Sequence, residues 1–233
     1  MLQVYAIKLD KPLDKSRFER LLSYVSTEKR EKISRFHKFD DAQTTLIADI
    51  LIRYLLCKEL KIRNNLLKFG TNEYGKPFLI NYKDIHFNIS HSYKWVVCCI
   101  STNWVGIDIE KISPIDISIA EQFFSKIEFE ELNSKNTFEK EVYFYDLWTL
   151  KESYIKAIGK GLSIPLDSFT LRIDKEDQIT VSAINNSEHY YFRQYNIDED
   201  YKMAVCSSKN EFPHYVNYIN LIDLSNLDKE AWL

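Results

Sequence analysis

The chain has 233 residues, of which 45% are hydrophobic and 28% charged, and its formal net charge is −3. These values are typical of a soluble globular protein, and the length suffices for one large domain or two modest ones. The small negative charge excludes a general attraction to nucleic acid, so an anionic ligand would need local basic clusters. No stretch approaches the ~20 apolar residues that span a membrane.

The N-terminus and the cysteines predict a cytoplasmic protein. The opening residues, MLQVYAIKLDKPLD, carry charge where a secretory signal needs a continuous apolar region. The four cysteines include no CxxC pair, which indicates neither a zinc site nor a disulfide framework. Cys98 and Cys99 lie in WVVCCI and are expected as buried thiols of a core strand.

The first half of the chain reads as a strand, a helical region and a pair of strands. LQVYAIKL is a predicted strand, and helical patterning follows from about Lys15 to Leu60, with breaks near Ser26 and Phe39. Within that region, TTLIADILIRYLLCKEL is apolar nearly all round, which predicts a central buried helix. IHFNIS and KWVVCCI alternate like paired strands joined by the turn HSYK.

A second half begins with WVGIDIE. Helical patterns cover about 117–132 and 139–158, and the strand-like runs FTLRI, QITVSAI, YYFRQYNI and YKMAVCSS follow. Helices followed by antiparallel strands, twice over, predict an α+β protein with two comparable halves. We predict a first half over residues 1–104, a second over 105–208 and a C-terminal tail over 209–233, in which a short strand and an appended helix are expected.

Two acidic residues interrupt the apolar strand VGIDIEKI. Because strand side chains alternate between faces, Asp108 and Glu110 share the face opposite the isoleucines. They lie roughly 7 Å apart along the strand, and like charges at that spacing repel unless a positive group sits between them. A bound divalent cation is one interpretation, and a solvent-facing edge strand with ordinary acidic residues is the other.

A second charged group lies in WTLKESYIKAIGKGLSIPLDSF. In a helix, Glu152 and Lys156 are four residues apart and share the face opposite the apolar stripe. Gly159 and Gly161 are expected to end the helix, and Pro165 prevents its resumption. The pair alone is also compatible with an ordinary ion pair on a solvated face.

The first half offers basic residues and hydrogen-bond donors. STEKREKISRFHK places five lysines and arginines in one helical segment, which is also compatible with a solvated face. EYGKPFL offers Lys76 on a turn whose amides could face an anion. FNISHS ends a strand with Ser90, His91 and Ser92, all able to donate hydrogen bonds. No GxSxG nucleophile elbow occurs, which argues against a serine hydrolase.

The order of these motifs resembles the 4′-phosphopantetheinyl transferases, especially the larger type that activates surfactin-like peptide synthetases. That family pairs a GIDIE-type strand with a W-[ST]-x-K-E-[AS]-x-x-K-x-x-G-x-G-L helix, here GIDIE and WTLKESYIKAIGKGL. An EKR segment, a YGKP turn and a FNISHS strand end precede them in the family's order, so the resemblance reaches about Ser208. Many members have an arginine before the threonine near position 45, where this chain has Thr44.

The resemblance implies two similar α+β halves, as in a fused homodimer, with antiparallel sheets and the active site at their interface. It implies transfer of the phosphopantetheine arm of coenzyme A to a serine of an apo carrier protein, with Mg²⁺ as cofactor and adenosine 3′,5′-bisphosphate as product. The carriers would be peptidyl carrier domains of nonribosomal peptide synthetases, as in antibiotic biosynthesis. A cytoplasmic monomer is expected, with no nucleic-acid or membrane partner.

The resemblance also assigns roles to individual residues. One Mg²⁺ and the pyrophosphate of coenzyme A would be held by Asp108, Glu110 and Glu152. These three carboxylates and Lys156, which would lie against the pyrophosphate, form the predicted catalytic set. Coenzyme A would be bound by Lys29, Lys32, Thr45, Gly75, Lys76, Pro77, Ser90 and His91. The stretch that begins at Gly159 and ends at Phe169 would dock the carrier, unless it packs under the second sheet.

One role stays open, and two other functions fit the residues less well. The general base is either Glu152 or a metal-bound water held by Glu110. DIEK superficially resembles a metal-dependent nuclease motif, but Glu110 and Lys111 are adjacent and point to opposite faces. The chain also lacks the basic surplus that binds a nucleic-acid backbone. A module that binds coenzyme A without chemistry is the last alternative, and it would not require three acids beside an anion.

Overall fold

The computed structural model describes residues 1–174, 178–183 and 189–225, and it confirms the predicted α+β class. Its helices are α1 (Lys15–Leu22), α2 (Thr27–Ser34), α3 (Phe39–Leu60), α4 (Ile117–Phe123), α5 (Lys126–Asn133), α6 (Thr137–Ile158) and α7 (Leu221–Ser225). Its strands are β1 (Gln3–Lys8), β2 (Phe69–Thr71), β3 (Pro77–Leu79), β4 (His86–Ser92), β5 (Trp95–Ser101), β6 (Val105–Lys111), β7 (Phe169–Ile173), β8 (Ile179–Ala183), β9 (Tyr191–Gln194), β10 (Tyr201–Ser207) and β11 (Asn217–Tyr218).

The strands form two larger sheets and two hairpins. The first sheet has the order β11-β1-β5-β4 and is antiparallel except for the parallel pair of β1 and β11. The second has the order β6-β10-β9 and is antiparallel throughout. The hairpins are β2-β3 and β7-β8. The predicted antiparallel sheets of the two halves are thus confirmed.

Each sheet has its own long helix, and the two sheets share an apolar layer. The first sheet packs against α3, a 22-residue helix buried on most sides, as its apolar composition predicts. The second packs against α6, also of 22 residues. Between the sheets lies a third cluster that includes Val4 and Val97 from the first half and Ile107 and Val205 from the second. The halves are therefore joined by a hydrophobic interface.

Two predicted elements differ in detail from the structure. The helix predicted over 117–132 is two helices, because Ser125 caps the start of α5 in a capping box with Glu128. The turn between β4 and β5 is shorter than HSYK, since the strands continue to Ser92 and from Trp95, and Tyr93 takes a positive φ of 49°.

Part of the C-terminal segment packs on the first half. Asn217 and Tyr218 of β11 pair with Tyr5 and Ala6 of β1, and Leu224 of α7 is buried near α3. The strand and helix expected in the tail correspond to β11 and α7, whereas residues 226–233 lie outside the described part. None of the described helices combines the length and apolar character that crossing a membrane requires.

Candidate active site

A pocket of about 370 Å³ opens between the two halves, where β4, β6 and α6 meet. Its walls are Ile89, Ser90, His91, Asp108, Glu110, Trp148, Glu152 and Lys156. The pocket therefore brings together the four predicted catalytic residues and two of the predicted coenzyme A ligands, from both halves of the chain. It lies at the interface where the predicted fold puts the active site.

Gly106 lets strand β6 lie directly on helix α6. A Cβ at this position would stand 2.1 Å from the carbonyl oxygen of Ser153 and 2.4 Å from the amide nitrogen of Ala157. Only glycine permits so close an approach of two backbones. The contact brings Asp108, two residues further along β6, beside the helical turn that carries Glu152 and Lys156.

Asp108 is the most deeply buried carboxylate of the pocket, with 2% of the residue exposed. Its Oδ1 accepts hydrogen bonds from Ser90 Oγ at 2.7 Å and from Lys156 Nζ at 2.5 Å. Its Oδ2 is buried and has no hydrogen-bond partner within the described part of the chain. A buried acceptor without a donor is costly, so this oxygen is suited to a ligand that supplies positive charge.

Lys156 neutralises part of the acidic charge. Its ammonium lies 3.9 Å from Glu152 Oε2, besides its contact with Asp108. Burial tends to lower the pKa of Lys156, but attraction from Asp108, Glu152 and Glu110 outweighs it and raises the pKa. The lysine is therefore a permanent cation at neutral pH.

The other two carboxylates bind their protons more tightly than usual. Burial, reinforced by repulsion from Asp108, raises the pKa of Glu110 to about 7, although a hydrogen bond from Ser92 Oγ opposes the shift. Burial also raises the pKa of Glu152, with Lys156 opposing and Asp108 adding to the effect. Three acids beside one lysine leave the pocket with surplus negative charge, and this surplus favours a bound cation.

His91 stands at the exposed edge of the pocket. Desolvation of the ring, followed by repulsion from Lys156, lowers its pKa, while Asp41 of α3 and Asp108 oppose the shift. The imidazole is therefore neutral at pH 7. A neutral imidazole has one N–H group, which could donate a hydrogen bond to an anionic group.

The basic helix α2, which carries Lys29 and Lys32, does not contribute to the walls of the pocket. The Lys29 ammonium lies 3.3 Å from Asp49 Oδ2 on α3. Lys32 is exposed on α2, and Thr45 is half-buried on α3. Their predicted contacts with coenzyme A remain predictions, because none of the three lines the pocket.

The β2-β3 hairpin binds the second half through Lys76. Its ammonium donates to the carbonyl oxygens of Val105 and Ala157, at 3.1 Å each, and lies 5.6 Å from the ring centre of Trp104. Burial lowers the pKa of Lys76 to about 8. Gly75 and Pro77 are exposed on either side of it in the chain. Contacts of these three residues with coenzyme A remain predictions, and Lys76 already has partners in the protein.

Asn72 is a residue of this region that sequence analysis missed. Its Nδ2 donates to the carbonyl oxygen of Gly159 at 2.7 Å, and its Oδ1 accepts from the amides of Tyr74 and Lys76. Gly159 ends α6 in the left-handed region, with φ of 83°, as its position in the motif predicts. The available signal was the Asx-turn that an asparagine before EYGKP favours.

The stretch predicted to dock the carrier is partly exposed and partly buried. Leu162 is 70% exposed, whereas Leu166 and Phe169 are buried at 3% and 2%. The fully buried Lys151 donates to the carbonyl oxygens of Leu166 and Phe169 at 2.8 and 2.9 Å. One end of the stretch is thus anchored in the second core, and Leu162 offers an apolar side chain to a partner.

The donor set suits a hard cation, although it is not a complete metal site. Within the described residues, no three His, Cys, Asp or Glu side chains are grouped closely enough to hold a metal ion. Asp108, Glu110 and Glu152 nevertheless line one pocket, and Asp108 Oδ2 has no partner there. Mg²⁺ usually takes one or two carboxylates and completes its shell with substrate oxygens and water. The residues present fit that mode of binding.

Two family models match consecutive parts of the chain. The model described as the 4′-phosphopantetheinyl transferase superfamily matches residues 104–206. The model described as the N-terminal part of a 4′-phosphopantetheinyl transferase matches residues 11–103. The two matches adjoin at the start of β6, close to the predicted boundary.

Named relatives are similar over nearly the whole chain. The chain is 42% identical over 223 residues to the 4′-phosphopantetheinyl transferase Sfp of Bacillus subtilis, covering 96% of this chain and 100% of that protein. It is 46% identical over 208 residues to the 4′-phosphopantetheinyl transferase gsp of Aneurinibacillus migulanus, covering 89% and 86%. A solved holo-(acyl-carrier-protein) synthase of Bacillus anthracis, in complex with coenzyme A (3′,5′-ADP), is 17% identical with a TM-score of 0.39, covering 44% and 92%.

Proposed function

The chain belongs to the 4′-phosphopantetheinyl transferase superfamily, and on that premise we propose which substrates and cofactor its enzyme activity uses. The donor is coenzyme A, the acceptor is a serine of an apo carrier protein, the cofactor is Mg²⁺ and the released product is adenosine 3′,5′-bisphosphate. The observation that carries this proposal is the unpartnered Asp108 Oδ2 beside Lys156, in a pocket with a surplus of acid. Such a pocket is suited to a diphosphate that arrives with a cation.

The reaction requires one bond to form and one to break at the β-phosphorus of coenzyme A. The serine oxygen of the carrier forms the new P–O bond, and the bond to the oxygen that bridges both phosphorus atoms breaks. When bound, Mg²⁺ would supply charge neutralisation at the diphosphate oxygens through Asp108, Glu110 and Glu152. The electron pair of the broken bond leaves with adenosine 3′,5′-bisphosphate.

Two residues of α6 have the chemistry for the accompanying proton transfers. Glu152 accepts the serine proton, because it is the α6 carboxylate on the wall of the pocket, four residues from Lys156. Lys156 is a cation at neutral pH and stabilises the negative charge that develops on the leaving phosphate. No side chain of the pocket is needed as a covalent nucleophile, because the carrier brings the attacking hydroxyl.

The carrier is proposed to be a peptidyl carrier domain of a nonribosomal peptide synthetase, docking at residues 159–169. The exposed Leu162 supports this placement, since it follows directly on the helix that bears Glu152 and Lys156. The proposal includes a cytoplasmic enzyme that acts as a monomer. One chain already combines side chains of both halves in a single pocket.

A mass measurement on the carrier tests the proposed function. The protein is incubated with Mg²⁺, coenzyme A and an apo peptidyl carrier protein, and the carrier is then weighed. Its mass should rise by one phosphopantetheine, while a carrier with serine replaced by alanine should stay unmodified. Release of adenosine 3′,5′-bisphosphate at the same rate without carrier would mean hydrolysis and would overturn the proposal.

A calorimetric titration separates the enzyme from a binding module. Coenzyme A is titrated into the protein with and without Mg²⁺, in the absence of carrier. The surplus acid of the pocket predicts much weaker binding of the diphosphate without Mg²⁺. Equal affinity in both titrations would favour a module that holds coenzyme A without chemistry.

A further inference from the structure

The two halves are joined by side chains of β4 that bind the backbone of β6. The strands run side by side in the same direction, and three alternate residues of β4, beginning at Asn88, each accept a hydrogen bond from an amide of β6. The pairs are Asn88 Oδ1 with Ile107 N at 2.9 Å, Ser90 Oγ with Ile109 N at 3.4 Å, and Ser92 Oγ with Lys111 N at 3.1 Å. These bonds fix the register of the first half against the acidic strand.

Two of these three side chains also donate to an acid of the pocket. Ser90 Oγ donates to Asp108 Oδ1 at 2.7 Å, and Ser92 Oγ donates to Glu110 Oε2 at 2.9 Å. Each serine thus accepts from one residue of β6 and donates to the carboxylate of the residue before it. The repeated geometry ties each acid to the junction between the halves.

We propose that Ser92 is a positioning residue that sets the Glu110 carboxylate for binding the cation. The inference rests on the proposed function and adds to it a residue that does not itself line the pocket. Ser92 Oγ already accepts from the Lys111 amide, so its single proton is directed at Oε2 of Glu110. The bond holds Oε2 in place and limits the rotation of the carboxylate before a ligand arrives.

The surroundings of Ser92 make this bond rigid. Ser92 is 8% exposed, and it precedes Tyr93, whose backbone takes a positive φ of 49°. The Lys111 ammonium lies 4.8 Å from the centre of the Tyr93 ring, and the Lys111 amide donates to Ser92 Oγ. Lys111 at the end of β6 therefore contacts both Ser92 and the residue that follows it. These two contacts restrict rotation of the Ser92 hydroxyl away from Glu110.

The test compares Ser92→Ala with a matched loss of a buried serine hydroxyl. Ser101→Ala is the control, because Ser101 is 2% exposed and its Oγ accepts from the amide of Asn103. We expect the Mg²⁺ concentration for half-maximal transfer to rise roughly tenfold in Ser92→Ala, as for other residues that orient metal ligands. The KM for coenzyme A at saturating Mg²⁺ should stay within about twofold, since no bond to the nucleotide is lost. Ser101→Ala should keep both values.

A second readout does not depend on turnover. Mg²⁺ alone is titrated calorimetrically into each carrier-free protein, and Ser92→Ala should bind it roughly tenfold more weakly than wild type and Ser101→Ala. Ser92→Thr keeps the hydroxyl and should recover most of the affinity. Ser92→Cys replaces it with a weaker donor of similar size and should lose affinity, so it carries the test should Ser92→Ala not fold.

The outcomes separate this inference from the function on which it rests. If wild type transfers phosphopantetheine but Ser92→Ala and Ser101→Ala bind Mg²⁺ alike, Ser92 does not position Glu110. A Ser92→Thr variant as weak as Ser92→Ala, with wild-type thermal stability, would also overturn the inference. If wild type transfers nothing to the carrier, the proposed function fails instead.

Discussion

The ammonium nitrogen of Lys156 lies 2.5 Å from Oδ1 of Asp108, so the most buried acid of the pocket already has a cationic partner. The side chain of Asp108 is 2% exposed and that of Lys156 is 26% exposed, which places the lysine on the solvent side. The pair joins β6 to α6 across the contact at Gly106. It neutralises one oxygen of the carboxylate, while the other, Oδ2, has no hydrogen-bond partner among the described residues.

We predict that Lys156→Met lowers the free energy of unfolding by about 3 kcal/mol without metal, because it leaves Asp108 buried beside other acids. Urea unfolding at pH 7.5 measures the change. Lys160→Met, which removes an exposed lysine of the same region, should leave stability nearly unchanged. Adding Asp108→Asn to Lys156→Met should restore more than half of the loss. Equal free energies of unfolding for Lys156→Met and Lys160→Met would show that the ion pair does not stabilise the fold.

The carboxylates of Asp108 and Glu152 are predicted to be needed for the transfer reaction but not for folding. Asp108→Asn and Glu152→Gln are expected to lower kcat at least about a hundredfold while each keeps a cooperative unfolding transition. Both substitutions keep the shape of the side chain and remove only its charge. Near-normal turnover of either variant with Mg²⁺ present would show that its carboxylate is not needed for the reaction.

The basic helix is predicted to bind the 3′-phosphate of coenzyme A. Lys29→Ala and Lys32→Ala should raise the KM for coenzyme A roughly tenfold with little change in kcat, because the charge of that phosphate hardly changes during reaction. With 3′-dephospho-coenzyme A as donor, at least one variant should differ less from wild type. Lys15→Ala on α1 is the control, since it removes an exposed lysine whose ion-pair partner is Glu19 of the same helix. If both lysine variants lose as much with either donor, these lysines do not bind the 3′-phosphate.

Local patterns in the sequence were sufficient to predict most elements and the acidic face of β6. The buried helix α3, the β4-β5 pair and the helix end at Gly159 each follow from periodicity or from a turn residue within a few positions. The motifs of the family then placed Asp108 and Glu110 with Glu152 and Lys156, which lie some forty residues further along, and the structure brings all four into one pocket.

The missing parts of the prediction depend on contacts distant in sequence. The bond between Ser92 and Lys111 spans 19 residues, and that between Asn72 and Gly159 spans 87. The hydrophobic periodicity of the sequence does not reveal the distant partner of a polar residue such as Ser92 or Asn72. The packing role of Gly106 likewise follows only from the crossing of α6 over β6 at this position, which no local pattern in the sequence reveals.

Lys76 predicts a specific dependence of stability on pH. Its pKa is about 8 in the folded protein, below the ordinary value of 10.5, so the unfolded chain binds more protons between those values. The free energy of unfolding should therefore rise with pH in this window, by up to about 3 kcal/mol, and the contribution is fully present only above the unfolded pKa. Relative to Lys76→Met, wild type should gain stability between pH 8 and pH 10.

Chemical unfolding at several pH values checks this slope as a difference between variants. Taking the difference cancels the tyrosines and cysteines that also titrate in alkaline solution. Lys68→Met removes an exposed lysine beside the same hairpin and should keep the wild-type slope. A wild-type slope in Lys76→Met would show that another group causes it.

Lys151 of α6 and Glu128 of α5 form an ion pair of 2.8 Å in which both side chains are 0% exposed. Glu128 also accepts hydrogen bonds from the amides of Ser125 and Leu171, which fastens the start of α5 and strand β7 to the pair. Burial lowers the pKa of Lys151, and the attraction of Glu128 opposes that shift. Loss of the charge on one partner would leave the charge of the other buried and unpaired.

We predict that Glu128→Gln lowers the free energy of unfolding by roughly 4 kcal/mol, because it leaves the Lys151 ammonium buried without an ionic partner. The same change should raise the KM for the carrier protein more than that for coenzyme A. The reason is that Lys151 holds the carbonyls of Leu166 and Phe169, at the end of the predicted docking stretch. Combining it with Lys151→Met should cost less than the sum of the single losses, since no charge then remains buried. Additive losses would show that Glu128 and Lys151 are not coupled. A larger effect on the KM for coenzyme A than on that for the carrier would mean that the pair supports the pocket rather than the docking stretch.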